Sequence, residues 1–178
     1  MNTYTLTIGS LTRELPIIPI SDSLSIASFV ILGDTEIVSV TAPMLADKLP
    51  EVDLLITAEA KGIPFVHEVA KHLGMPRYIV ARKSIKAYME DPLISKVNSI
   101  TTQKEQFLCL DRNDAEFIKG KRVALIDDVI SSGESLRALA ELVESAGANI
   151  VAQAAILAEG DAANRDDIIF LEKLPIFE

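Results

Sequence analysis

Along this chain the hydrophobic positions change period, and each change marks an element. Tyr4, Leu6 and Ile8 alternate with threonines, Gly9-Ser10 has the composition of a two-residue hairpin turn, and Leu11, Arg13 and Leu15 resume the alternation. That pattern predicts a small antiparallel ribbon. Pro16 and Pro19 close it, and residues 21–33 continue as strand or irregular loop. From Asp34, an N-cap by type and position, Ile37, Thr41, Leu45 and Lys48 follow helical spacing, with Pro43 expected to kink or restart that helix. After Pro50 the pattern sharpens. Residues 53–58 form an apolar run suited to a parallel strand buried on both faces. A helix follows in which Val66, Val69, Ala70 and Leu73 share one face and Gly74 provides the stop. A strand over 77–82 completes a strand-helix-strand unit. The unit repeats: a strand over 123–127, a helix bearing Leu136, Leu139, Ala140 and Val143, a stop at Gly147, and a strand over 149–158. Two such units predict an α/β fold with a mainly parallel central sheet flanked by helices. Between them residues 84–106 are polar, poorly periodic and too long for an ordinary connection, which marks a functional or a disordered loop.

Composition narrows the picture. The 178 residues suit a single domain over 1–178, large enough to bury a full core. Cys109 is the only cysteine, so no intrachain disulfide forms, and a reducing, cytoplasmic setting is expected, with Cys109 as a small apolar strand residue. Neither a leader-like N-terminal run nor eighteen consecutive apolar residues occurs. A net charge of −9 opposes broad contact with nucleic acid. Within that acidic chain, Lys61, Lys71, Arg77, Arg82, Lys83 and Lys86 lie close together, a local positive concentration suited to a small polyanion.

The chemistry concentrates in Val123-Ala124-Leu125-Ile126-Asp127-Asp128-Val129-Ile130-Ser131-Ser132-Gly133-Glu134-Ser135. In open parallel sheets ligands bind beyond the carboxyl ends of the strands, which puts Asp127 and Asp128 in the crevice. The helix starting near Ser135 aims unpaired N–H groups at the preceding turn, and Ser131, Ser132 and Ser135 add hydroxyl donors, enough for one monophosphate. Carboxylates accept from vicinal ribose hydroxyls, and two together hold a positively charged sugar ring. A helix cap followed by a surface loop would account for one Asp and one Ser, not for the pair. His67 and His72 lie five apart inside the first crossover helix, off a common face, and read as surface residues. No His or Cys spacing fits structural zinc, and neither a Gly-x-Gly-x-x-Gly nor a Gly-x-x-x-x-Gly-Lys-Ser/Thr string occurs.

This run resembles the phosphoribosyl-pyrophosphate (PRPP) signature of type I phosphoribosyltransferases, departing at Glu134, where Gly is usual, and at Ser132 and Ser135, where Thr is frequent. Glu59-Ala60-Lys61-Gly62 is similar to the Glu-Ala-Arg-Gly loop of adenine phosphoribosyltransferases, and Ala81-Arg82-Lys83 to their Val-Arg-Lys. The resemblance implies roles. Ser131, Ser132, Gly133, Glu134 and Ser135 would hold the 5′-phosphate. Ala60, Lys61, Gly62, Arg82, Lys83 and Lys86 would hold pyrophosphate, with Gly62 allowing close backbone approach. Asp127 and Asp128 would be catalytic. It further implies Mg²⁺ arriving with PRPP and no metal held directly by protein, a homodimer, a loop over 84–106 that closes on the site with Glu90 and Asp91 as further contacts, and a hood from about 1–33 and 158–178 over a purine base. Glu159 falls where similar xanthine phosphoribosyltransferases carry a Lys, and a carboxylate prefers an amino group such as adenine offers. Adenine is therefore the expected base, with xanthine or another base as the alternative. A PRPP-binding regulator without transfer chemistry is a rival, although only Arg13 and Lys48 are basic before the first parallel strand. A nonenzymatic nucleotide-binding scaffold is another.

Overall fold

The computed structural model describes residues 2–97 and 106–178; the 98–105 part of the expected closing loop lies outside them. The predicted ribbon forms: β1 (Thr3–Ile8) pairs antiparallel with β2 (Leu11–Pro19) across the Gly9-Ser10 turn. Pro16 does not close it, because β2 runs on through Pro19 to pair with the short β3 (Ser25–Ala27). Helix α1 (Thr35–Lys48) starts at Asp34, whose side chain accepts from the Ile37 N–H at 3.0 Å. Pro43 does not restart it. The helix runs through the proline, with Ile37, Thr41, Ala42 and Leu45 buried around it.

Both crossover units are present. The first comprises β4 (Leu54–Ala58), α2 (Gly62–His72) and β5 (Ile79–Ala81). On α2, Phe65, Val66, Val69 and Ala70 are buried, while Leu73 is 38% exposed and falls outside the expected face. Strand β5 is shorter than expected. At Arg82 the chain leaves the sheet and its backbone pairs instead with Cys109. Residues 84–106 are not all irregular either: β6 (Leu93–Val97) pairs antiparallel with β7 (Gln106–Leu110). Helix α3 (Arg112–Ile118), which the hydrophobic pattern did not reveal, is capped by Asp111.

The second unit comprises β8 (Arg122–Ile130), α4 (Glu134–Ser145) and β9 (Asn149–Glu159). A 3-10 turn over Gly160–Asn164 leads to β10 (Ile169–Leu174), and β11 (Ile176–Phe177) ends the chain. The main sheet has the order β10-β9-β8-β4-β5 and every pairing in it is parallel. A second sheet, β1-β2-β3-β11, joins the two ends of the chain. Of the expected hood, residues 169–174 instead extend the main sheet.

One core packs α1, α2 and the ribbon residues Leu6, Ile8 and Leu15 on one face of the sheet. The other packs α4, Ile118 of α3 and β7 on the opposite face. Each fully buried Leu, Ile or Phe in these layers contributes roughly 1.5–3 kcal/mol. Cys109 is a free, buried strand residue, and burial raises its thiol pKa, which suits the packing role. Among the described residues no helix is long and apolar enough to cross a membrane.

Candidate functional site

Strand β8 continues three residues beyond Asp127, so the two acids are held inside regular structure. Leu125 and Ile130 pack into one core and Ile126 and Val129 against the other, so the in-out alternation changes phase across Asp127-Asp128. Both carboxylates then line one cleft of about 570 Å³, within the range of small-molecule sites.

The electrostatics of the pair are unsatisfied. Asp128 is 3% exposed, and its Oδ2 is buried without a hydrogen-bond partner. Lys61 Nζ approaches that oxygen at 3.5 Å, an ion pair too long and poorly directed to satisfy it. Asp127 accepts from the Asp128 N–H at 2.8 Å. Burial, and then the adjacent Asp128 carboxylate, raise the Asp127 pKa well above the ordinary carboxylate range, against the pull of Lys61.

Beyond β8 the chain bends through Ser131-Ser132 to Gly133, whose φ of +81° favours glycine and which serves as the N-cap of α4. A side pocket of about 40 Å³ lies in this bend, lined by Ser131, Ser132, Gly133 and Ser135 together with Asp127. The Glu134 N–H donates to Ser132 Oγ at 3.4 Å, while the residue itself is exposed and outside that lining. The N-terminus of a twelve-residue helix at this pocket suits an anion.

The loop after β4 supplies the opposite wall. Ala60, Lys61 and Lys83 line the cleft, and the Glu59-Ala60 peptide is cis. Burial works to raise the Glu59 pKa, but the Lys83 N–H at 3.0 Å and the Arg82 guanidinium hold it below its usual value. Arg82, expected at pyrophosphate, does not line the cleft; Glu59 takes its Nε and Tyr88 its Nη1 at 2.6 Å. Lys86 is also outside the lining, with Nζ on Ser84 Oγ at 2.6 Å. Gly62 is buried beneath the site rather than in it. A β-carbon there would lie 2.4 Å from Thr57 Oγ1 and 3.6 Å from Asp127 Cα, so its missing side chain lets α2 start directly under the aspartates. Glu90 and Asp91 do not line the cleft: the Glu90 N–H donates to Asp111 and the Asp91 carboxylate pairs with Arg112.

The remaining wall comes from the small sheet and the end of β9. Ile26, Ala27, Ser28 and Phe29 line the cleft with Glu159 and Leu174, and Gln106, Phe107 and Leu108 of β7 close one side. Burial raises the Glu159 pKa, with Lys61 pulling it down. Ser28 and Phe29 fall within the expected hood but were not singled out in sequence, and Phe107 and Leu108 of β7 were not expected in the site at all. His67 and His72 are exposed, His67 edge-on to Tyr78 with ring centroids 5.9 Å apart. Among the described residues no three His, Cys, Asp or Glu side chains converge as a metal cage.

Comparison with known proteins adds the following. A family profile described as phosphoribosyl transferase domain matches residues 44–175. A xanthine phosphoribosyltransferase of Exiguobacterium sp. is 30% identical over 120 residues, 67% of this chain and 61% of that protein. An adenine phosphoribosyltransferase of Clostridium botulinum is 31% identical over 140 residues, 78% of each chain. The crystal structure of adenine phosphoribosyltransferase from Thermoanaerobacter pseudethanolicus superposes with a TM-score of 0.71 at 24% identity, covering 89% of this chain and 95% of that one. Against four curated relatives the matched part spans 61%, 57%, 66% and 51% of the relative's own length.

Proposed function

Since the chain belongs to the phosphoribosyltransferase family, we propose that it is a purine phosphoribosyltransferase that joins adenine to PRPP, releasing pyrophosphate and AMP. The observation that carries this reading is the buried, unpartnered Oδ2 of Asp128 beside Asp127 at the floor of the cleft, next to the anion pocket in the bend. Two adjacent carboxylates, one with a buried oxygen that has no donor, match a ligand that presents adjacent hydroxyls. In this reading the Ser131–Ser135 bend takes the 5′-phosphate, and Asp127 and Asp128 take the ribose hydroxyls. Lys61 and Lys83, with the backbone at Ala60, face the pyrophosphate. The base lies under Phe29 and residues 26–28, with Glu159 at its polar edge.

The bond from the anomeric carbon to the pyrophosphate oxygen breaks, a bond to a ring nitrogen of the base forms, and the proton on that nitrogen leaves. Positive charge develops on the ribose in between. Two fixed carboxylates stabilise it, and removing one such group commonly costs on the order of 3 kcal/mol. Mg²⁺ arriving with PRPP would sit beside Asp127 and Asp128, and the chemistry it would supply is charge neutralisation of the leaving pyrophosphate. Arg82 acts here through Glu59, stiffening the turn that presents Lys83. Gly62 keeps α2 close beneath Asp127.

The base preference rests on Glu159, which accepts from an exocyclic amino group when ionised. The relatives' names, xanthine in one case and adenine in another, make the 6-oxopurines the competing substrates. The test is pyrophosphate release from PRPP with a panel of free bases. Adenine should give the highest kcat/KM, and Glu159→Lys should move the preference toward xanthine. Release with xanthine or hypoxanthine and none with adenine would overturn the base assignment. PRPP binding without release for any base would replace the enzyme with a sensor.

A further inference from the structure

Beyond the residues placed in the site so far, one cation lies against Gly133 at the edge of the anion pocket, outside its present lining. Arg165 follows the 3-10 turn after β9, and its guanidinium lies against the α4 N-cap. A β-carbon built on Gly133 would be 2.9 Å from its Nη1. The rest of the fork is fixed: Nε and Nη2 donate to the two carboxylate oxygens of Asp167, at 2.8 Å each. Nη1 donates to nothing among the described residues, and the side chain is 35% exposed. Asp167 thus orients the guanidinium with its free edge toward Gly133, which lines the pocket in the bend. The bend carries an acid of its own in Glu134 and no lysine or arginine between Arg122 and Arg137. A dianionic phosphate seated on serine hydroxyls and helix N–H groups there lacks a counter-charge from the bend itself.

We infer that Arg165, held by Asp167, supplies that counter-charge as a ligand of the 5′-phosphate; this rests on the reading of the Ser131–Ser135 bend as the phosphate site. Arg165 therefore reads the end of the ribose remote from the reacting carbon. Its loss weakens binding in the ground state and the transition state alike and leaves the chemical step intact. Asp167 is its positioning residue. Glu134 opposes it, so removing that charge strengthens phosphate binding.

The test uses the full-length protein and two probes offered separately, ribose 5-phosphate and inorganic pyrophosphate, measured by calorimetry alongside steady-state kinetics. Arg165→Met should weaken ribose 5-phosphate binding about tenfold, the low end for a charged hydrogen bond at a part-exposed site. It should raise the KM for PRPP by a similar factor, with kcat and pyrophosphate affinity kept within about twofold. Asp167→Asn should weaken ribose 5-phosphate binding about threefold, and Glu134→Gln should tighten it. Arg165→Lys should recover part of the loss, because it keeps the charge without the fork. Unchanged ribose 5-phosphate affinity in Arg165→Met, or a loss of pyrophosphate affinity instead, overturns the assignment. If Arg165→Met does not fold, Asp167→Asn decides, and unaltered affinity there overturns it equally. Wild-type protein that binds pyrophosphate but not ribose 5-phosphate sinks the reading of the bend itself, whereas normal wild-type binding with an indifferent Arg165→Met sinks only the role of Arg165.

Discussion

Replacing Asp127 by Asn separates what this carboxylate does for function from what it does to stability. Asp127 accepts the Asp128 N–H at 2.8 Å, and an amide oxygen can accept the same bond, so the local backbone has no reason to move. The charge is lost. A carboxylate accepting ribose hydroxyls is worth about 1.5–3 kcal/mol per bond against about 0.5–1.5 for a neutral acceptor, and the electrostatic support of a developing cation disappears with it. Together these predict a fall in kcat/KM of about a hundredfold or more. Stability should move the other way. Burial and Asp128 raise the folded-state pKa of Asp127 above its unfolded value, so over the interval between the two the native state holds a proton that the unfolded chain has released. Stability is therefore lost as pH rises through that interval, and Asn, which cannot ionise, escapes the loss. With one oxygen of the pair already unpartnered, the relief is about 1–3 kcal/mol, and a chain of this size shifts its Tm by roughly 2–4 °C per kcal/mol. Thermal unfolding at about pH 5 and about pH 9 should show the variant's Tm advantage growing from the lower pH to the higher. A variant that is less stable at both pH values, or that keeps its pyrophosphate release, would refute the reasoning.

Three further perturbations follow from contacts in the structure. Gly62→Ala drives a β-carbon onto Thr57 Oγ1, so it should cost about 1–3 kcal/mol in chemical denaturation and lower activity by displacing the floor under Asp127; adding Thr57→Ala, which removes the obstructing oxygen, should recover part of both. Asp34→Ala removes the α1 cap and should cost about 1 kcal/mol. Arg13 holds the Asp34 pKa below its ordinary value, so this contribution is complete above the unfolded carboxylate pKa and lost as pH falls through the folded one; urea midpoints of wild type and variant should converge in acid. Glu59→Gln removes the anion that fixes Arg82 and the Lys83 N–H, and should raise the KM for PRPP several-fold at nearly constant Tm; a kcat loss with unchanged KM would contradict the positioning role.

How much of this was legible in sequence depends on whether the cause is local. The strand into Asp127, the bend and the start of α4 are each set by neighbouring residues: an apolar run, turn-forming serines, and Gly133 in a left-handed conformation. The hairpin turn and the Asp34 cap are local in the same sense. The failures have distant causes. Pro43 was expected to disturb α1, but the helix is sealed by a core drawn from the ribbon and β9. Strand β5 stops early because Arg82 finds its backbone partner in Cys109. Arg82 carries a charge suited to pyrophosphate, yet its carboxylate partner lies 23 residues away, and no spacing rule connects the two. Residues 93–97 looked irregular because their pairing partner follows the intervening segment, and a strand with no neighbour in sequence has little periodicity to show.

The same distinction explains how the site holds two acids where the fold would prefer none. A strand that ended at Ile126 would leave Asp127 and Asp128 in a solvated turn, with ordinary carboxylate behaviour. Extending β8 to Ile130 against β9, with Val129 beside Leu157 and Ile130 beside Ala158, pulls both acids inward at the cost of their hydration. Apolar residues on each side of the pair supply the opposing free energy, since Ile126 and Ile130 are buried. Lys61 repays only part of the desolvation, because at 3.5 Å and half exposed it lies outside hydrogen-bond geometry with Asp128 Oδ2. The pair therefore carries an electrostatic deficit at Asp128 Oδ2, and a ligand offering hydroxyl donors to the pair and an anion to Lys61 relieves it. Repacking that silenced the deficit, by hydrogen-bonding Oδ2 within the protein, would stabilise the fold and remove the driving force for binding.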